Sequence, residues 1–258
     1  VEAMEQIRVA LRQQFLSDRL LGVTSVPVSI PPRRVATGGP RIAPRSVDTT
    51  ANAERLRVLD ETQVKGCRKC GLCETRTQTV FGQGSPAARL VFVGEAPGFE
   101  EDKQGLAFVG PAGQLLTRMI VAMGLTREDV FICNVLKCRP PGNRDPHADE
   151  ILACSAYLRE QLSVIQPELI VALGAPAAKT LLNTTLSIGK LRGQFHEFYL
   201  SGVTGDGPSI PVLPTYHPAY LLRSPEEKGK AWADLQMAMA RLGLTPPQRN
   251  PGASSGNA

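Results

Sequence analysis

At 258 residues, 42% of them hydrophobic and 21% charged, the chain has the composition of a globular protein that can bury a core, as one domain or two. No apolar run approaches the roughly 18 residues needed to span a bilayer, and Val1–Leu21 alternates charged and apolar residues where a signal peptide would carry an apolar core, so a cytoplasmic protein without membrane contact is expected. The net charge of +5 points weakly to a polyanionic partner, because residues 1–50 hold seven Arg against four acids while residues 51–245 hold 21 basic and 20 acidic side chains.

Residues 1–22 read as an amphipathic helix, with Ile7, Leu11, Phe15, Leu16 and Leu20 at helical spacing. Residues 23–50 break that pattern with Pro27, Pro31, Pro32, Pro40 and Pro44 and four Arg, which is linker composition. From 51 to 245 strands and helices alternate. Leu90–Val93 is a short apolar run that stops at a glycine, as a buried parallel strand does. A helical pattern over 111–124 follows, then a strand over Val130–Val135 and a helix over 147–165 that carries Cys154. Leu169–Leu173 is a third strand, ending at Gly174 before a helix at 175–182. Strand character at 195–200 and 210–213 and a helix over about 226–242 complete the region, and the polar segment 246–258 reads as a disordered tail. The expected architecture is α/β: one three-layer α/β/α domain around a central, mostly parallel sheet, with the N-terminal helix and linker outside it.

Ligands of such sheets bind beyond the carboxyl ends of the strands, and three ends here carry unusual residues. Gly94-Glu95-Ala96-Pro97-Gly98 sets a carboxylate on a tight turn whose glycines let backbone N–H groups approach a ligand. Glu95 could activate water or stabilise a cation, or simply cap a helix. Asn134 ends an apolar strand and offers the acceptor and two donors that suit a pyrimidine edge, though an amide there could also cap a turn. His217, in Pro214-Thr-Tyr-His-Pro218, is the one histidine of three that follows a strand end, where it could equally be a structural hydrogen-bonder. Phe108, in Gly105-Leu-Ala-Phe-Val-Gly110, fits the core or a platform for a stacked base.

Six cysteines in a chain without an export signal read as ligands or buried thiols. Cys67-x2-Cys70 and Cys138-x15-Cys154 could together fix an iron–sulfur cluster or a zinc ion, and the long second interval fits zinc poorly. Cys73 extends the first string to Cys-x2-Cys-x2-Cys, so spacing alone does not say which two of the three are ligands. Cys133 faces away from Asn134 on its strand and is expected in the core.

Taken together, Gly94–Asp102, Gly105-x-x-Phe-Val-Gly110-x-Ala-Gly113, Asn134-Val-Leu-Lys-Cys-Arg-Pro-Pro-Gly-Asn-Arg144, Cys154 and His217-Pro-Ala-Tyr-Leu-Leu-Arg223 resemble the family 4, iron–sulfur uracil-DNA glycosylases over roughly residues 60–242. The resemblance implies release of uracil from DNA, leaving an abasic site, and a 4Fe-4S cluster on Cys67, Cys70, Cys138 and Cys154. It implies that Phe108 stacks on an extruded uracil, Asn134 reads its edge, and Gly94 and Ala96 contact the base. His217 would donate to the departing uracil anion, and Glu95 would orient water or stabilise the sugar cation. Lys137, Arg139 and Arg144 would meet phosphates, and Leu221, Leu222 and Arg223, on an apolar loop, would fill the space the base leaves. Ala107 stands where the family usually has Pro, and Ser201–Ser209 lengthens a hairpin. A related branch that traps DNA covalently has Gln at the position of Glu95 and a basic insertion after the Asn134 strand; neither is present here, which argues for turnover. Uracil-containing DNA is thus the expected partner of a monomer, with residues 1–50 open to a repair or replication partner. Two other readings stay open: a glycosylase with another damaged-base preference, and a non-catalytic DNA-binding protein that uses the metal centre as a scaffold.

Overall fold

A computed structural model describes residues 48–245. The helix expected over 1–22, nearly all of the 23–50 linker and the 246–258 tail lie outside the described residues. The linker's last two residues are already helical: α1 spans Thr49–Leu59, with the Asp48 carboxylate accepting from Ala51 N–H at 2.9 Å as its N-cap.

The short strand β1 (Gln83–Gly84) precedes β2 (Leu90–Gly94), and helices α2 (Phe99–Gln104) and α3 (Pro111–Ala122) follow. Next come β3 (Phe131–Asn134), α4 (Ala148–Ile165), β4 (Leu169–Leu173), α5 (Ala175–Leu182) and α6 (Ile188–Leu191). The hairpin β5 (His196–Tyr199) and β6 (Ser209–Thr215), then α7 (Pro218–Arg223) and α8 (Lys228–Leu242), complete the order. One mixed sheet has the order β1-β3-β2-β4-β6-β5. The four inner strands run parallel, and the two edges are antiparallel. The expected three-layer architecture is therefore present.

The inner strands β2 and β4 are buried at every position, which is why they read as unbroken apolar runs. Alternate residues feed opposite layers. Val91, Val93, Ile170, Ala172 and Val212 pack with α1, α4 and α5, while Leu90, Phe92, Leu169, Val171 and Leu213 pack with α3 and α8. Cys133 lies in the first of these layers, fully buried, as its strand position requires.

Four short elements, β1, α2, α6 and α7, escaped the periodicity reading, as did the longer α1. β1 has two residues and α2 six, too few to show a period. The segment after His217, expected as a loop, is the helix α7, since Pro218 at its first position presets a helical φ. β6 also runs two residues beyond the expected 213, through Pro214.

Helix α8 is tied to the sheet by a buried acid. Asp234 accepts from Thr215 Oγ1 at 2.7 Å and from Arg192 Nη2 at 2.8 Å and Nε at 3.1 Å. Removing the acid would strand a mostly covered guanidinium and a buried hydroxyl. Asp234→Ala is expected to cost about 3 kcal/mol, read as a lower urea midpoint with an unchanged slope.

Candidate functional site

The parallel register decides what meets at the carboxyl ends. Gly94 on β2 pairs with Asn134 on β3, and Leu173 on β4 pairs with Thr215 on β6. The loops leaving these ends surround a cavity of about 750 Å³, counting its open mouth, lined by Glu95 to Gly98, Phe108, Asn134 and His217 among others. The four side chains singled out from separate sequence motifs are thus neighbours.

Gly94 makes the floor of this cavity possible. A Cβ there would lie 2.3 Å from Asn134 Oδ1 and 2.5 Å from the Phe108 ring. The Asn134 side chain is 2% exposed, and its Oδ1 has no hydrogen-bond partner. A buried amide oxygen without a donor costs about 1–3 kcal/mol, a cost that a ligand N–H would offset. Phe108 is buried beside it in the left-handed region, at φ +54°, a conformation that is strained for an aromatic residue. The Glu101 carboxylate accepts from Val109 and Gly110 N–H, both at 2.9 Å, and holds the far side of that loop.

His217 N-caps α7. Its Nδ1 accepts from Ala219 N–H at 3.1 Å, so the ring proton sits on Nε2. The imidazole lies 5.7 Å from the Phe108 ring centre, tilted by 35°. Burial, reinforced by Arg223, pushes its pKa down to about 4, against a smaller upward pull from Glu101. Above that pH the ring is a neutral N–H donor. Glu95 is shifted the other way. Desolvation, and then the nearby Asp145 carboxylate, raise it to about 7, so it exchanges its proton near neutrality. The site therefore holds a neutral donor, a carboxyl poised at neutral pH, an aromatic face and an unpartnered amide.

All six cysteines are free. Cys67, Cys70, Cys138 and Cys154 line a second cavity, about 340 Å³ with its mouth included, and Cys73 does not. Donors point at three of those sulfurs: Tyr157 O–H at Cys67, Arg76 Nη1 at Cys138 and the Lys137 N–H at Cys154, each at 3.2 Å. Lys137 itself is 1% exposed, and both acceptors of its ammonium are neutral oxygens, on Asn134 (2.8 Å) and Gln161 (2.6 Å). A buried cation with neutral partners, beside sulfurs that accept hydrogen bonds, fits thiols that carry negative charge as ligands. Among the described residues, no three His, Cys, Asp or Glu side chains converge as one metal ion would require. Four thiols lining one cavity are a donor set that a sulfur-ligated metal centre would use.

Two expected DNA contacts are corrected by burial. Lys137 points inward to Asn134 and Gln161 and cannot reach a phosphate. Leu221 is 1% exposed, packed with Leu115 and Ala231 on the inner face of α7, which leaves Leu222 and Arg223 on the exposed face. Arg144 is at the cavity but ion-paired to Glu150 at 2.6 Å. Arg139 donates to Asn143 Oδ1 at 2.7 Å and lies over the exposed Phe99 ring. Glu101, Asn143 and Asp145 also line the cavity and were not singled out from the sequence. Glu101 falls within the Gly94–Asp102 motif and Asn143 within Asn134–Arg144, with Asp145 next to it, but a motif's extent does not say which of its polar side chains turn toward a cavity.

The model of the uracil DNA glycosylase superfamily matches residues 81–236. The chain is 49% identical over 168 residues to the type-4 uracil-DNA glycosylase of Saccharolobus solfataricus, covering 63% of this chain and 76% of that one. It is 46% identical over 172 residues to the type-4 enzyme of Thermotoga maritima, covering 66% and 85%. The type-4 enzyme of Sulfurisphaera tokodaii is 45% identical over 189 residues, covering 71% and 83%.

Gly94→Ala should drive the added methyl into Asn134 and Phe108. The expected outcome is a folded variant whose crystal structure shows one of those side chains displaced and the cavity floor filled; an unchanged floor would contradict the close approach described for Gly94.

Proposed function

The chain belongs to the uracil-DNA glycosylase superfamily, in its type-4 group, and excises uracil from DNA; from that premise we propose how its residues do so. The observation that carries this reading is the buried, unpartnered Asn134 Oδ1 in the cavity that Phe108 and His217 also line. An extruded uracil lying on Phe108 would give its N3–H to that oxygen, while the amide NH2 would meet O4. Cytosine has no N3–H to give, so it would leave the buried oxygen unsatisfied, the kind of penalty that yields strong discrimination.

Cleavage breaks the bond between C1′ and N1. The electron pair leaves with uracil and positive charge builds on the sugar, as in glycoside hydrolysis. The His217 Nε2–H donates to uracil O2 as charge develops there, and the neutral ring supports the anion without a proton having to be lost first. The Glu95 carboxylate orients a water toward C1′. The water oxygen bonds to C1′, its proton passes to Glu95 and on to solvent, and the uracil anion takes a proton from solvent. The products are uracil and an abasic site.

We assign a 4Fe-4S cluster to Cys67, Cys70, Cys138 and Cys154; when bound, it supplies covalent links from the segment after α1 to the loop after β3 and to α4. Arg76, Tyr157 and the Lys137 N–H hydrogen-bond three of the ligating sulfurs. Arg139 and Arg223 are assigned to phosphates, with Arg144 joining them if it leaves Glu150, and Leu222 to the gap left by the base. Six cysteines without a disulfide accord with a reducing compartment, and no helix among the described residues is long and apolar enough to cross a membrane.

The direct test is uracil release from an oligonucleotide holding one deoxyuridine. Glu95→Ala and His217→Ala should each lower kcat by about 100-fold or more; parental activity in both would overturn their roles. For the parent, kcat/KM should rise with pH and level off above about 7 as Glu95 ionises. Glu95→Gln should lose that limb, and His217, neutral above about 4, should add none between pH 5 and 9. Serine in place of each of the four cavity cysteines should reduce iron and sulfide content, whereas Cys73→Ser and Cys133→Ser should retain both.

A further inference from the structure

The ring assigned to stack on uracil is held by a residue with no place in the scheme above. Phe108 sits at φ +54°, a backbone state that L-residues with bulky side chains avoid, so something must hold it there. Arg127, in the turn before β3, reaches the loop from behind. Its Nη2 donates to Ala107 O at 2.7 Å and its Nη1 to Phe108 O at 3.2 Å and Thr117 Oγ1 at 3.1 Å. The two carbonyls flank the φ and ψ rotations of Phe108, so fixing both fixes the plane in which its side chain leaves the chain.

The neighbours leave this loop no other seat. Gly113 packs so closely that a Cβ there would lie 1.8 Å from Phe108 O, and the Thr117 hydroxyl donates to Gly113 O at 3.1 Å. On the next two residues, Glu101 takes the amides of Val109 and Gly110. Carbonyls are thus held by a cation and amides by an anion, with Phe108 between them. Arg127 is only partly exposed, and desolvation lowers its pKa, the cost of keeping a guanidinium among neutral oxygens. A lysine, with its rotatable point charge, could not reproduce the flat two-nitrogen bridge.

We infer that Arg127 is a positioning residue for the base-stacking platform, setting the Phe108 ring through the Ala107 and Phe108 carbonyls without touching the substrate. The inference rests on the reading of Phe108 as that platform, and the test separates the two. kcat/KM on a deoxyuridine oligonucleotide would be compared for the parent, Arg127→Met, Arg127→Lys, Phe108→Ala and the Arg127→Met/Phe108→Ala double variant, at a temperature where thermal unfolding shows each to be folded. Phe108→Ala should lower kcat/KM by roughly tenfold or more, as loss of a base–aromatic stack does. Arg127→Met should lower it by about tenfold, Arg127→Lys by less, and the double variant should be no worse than Phe108→Ala alone, because the Arg127 effect passes through the ring. A full multiplicative loss in the double variant would mean that Arg127 supports the structure generally, and would overturn the inference. So would parental activity in Arg127→Met beside an impaired Phe108→Ala. An unimpaired Phe108→Ala would instead overturn the platform reading itself, and the Arg127 role with it.

Discussion

The site depends on one register. Gly94 and Asn134 are the last paired residues of two adjacent parallel strands, so the amide of one lies over the bare Cα of the other. A methyl group at position 94 would occupy the space that the amide oxygen and the Phe108 ring share. Everything else in the cavity is arranged around that opening. The β2 loop brings Glu95, the β6 loop brings His217, and the Phe108 loop closes the third side. The register is firm because both faces of the inner sheet are buried; a slip of one residue would turn each apolar run toward the wrong layer.

The electrostatics follow from how far each group is taken out of water. The same burial raises a carboxyl and lowers an imidazole, so Glu95 and His217 move apart into a proton-exchanging acid and a neutral donor. This has a consequence for stability. A carboxyl raised in the folded state favours folding while it is protonated, and that contribution falls away as pH rises from the ordinary carboxylate range toward 7. Lys137 joins the two halves of the molecule's chemistry. Its ammonium holds the Asn134 carbonyl, while its own N–H donates to Cys154 Sγ. Lys137 therefore links the thiol-lined cavity directly to the strand end that carries Asn134, and loss of order in one should be felt in the other.

The layers of the fold were legible because they rest on periodicity. Leu90–Val93 and Leu169–Leu173 are apolar at every position since helices cover both faces, and Cys133 could be assigned to the core from strand alternation alone. The gathering of Glu95, Asn134 and His217 in one cavity is legible from residue type and from their positions at strand ends. What escaped depended on direction. Lys137 looked like a surface cation because its neighbours Arg139 and Arg144 are cationic, yet it points inward. Leu221 and Leu222 are adjacent in sequence, and only the helix that contains them decides that one is buried and the other exposed. Arg127 lies outside every motif, so no spacing would have linked it to the carbonyls at 107 and 108.

The most direct test of this arrangement is a crystal structure with DNA carrying a deoxyuridine analogue whose glycosidic bond resists hydrolysis. The account predicts the uracil ring against Phe108, its N3–H on Asn134 Oδ1, and His217 Nε2 within hydrogen-bond distance of O2. A uracil bound elsewhere, or bound there with Asn134 Oδ1 still unpartnered, would contradict it.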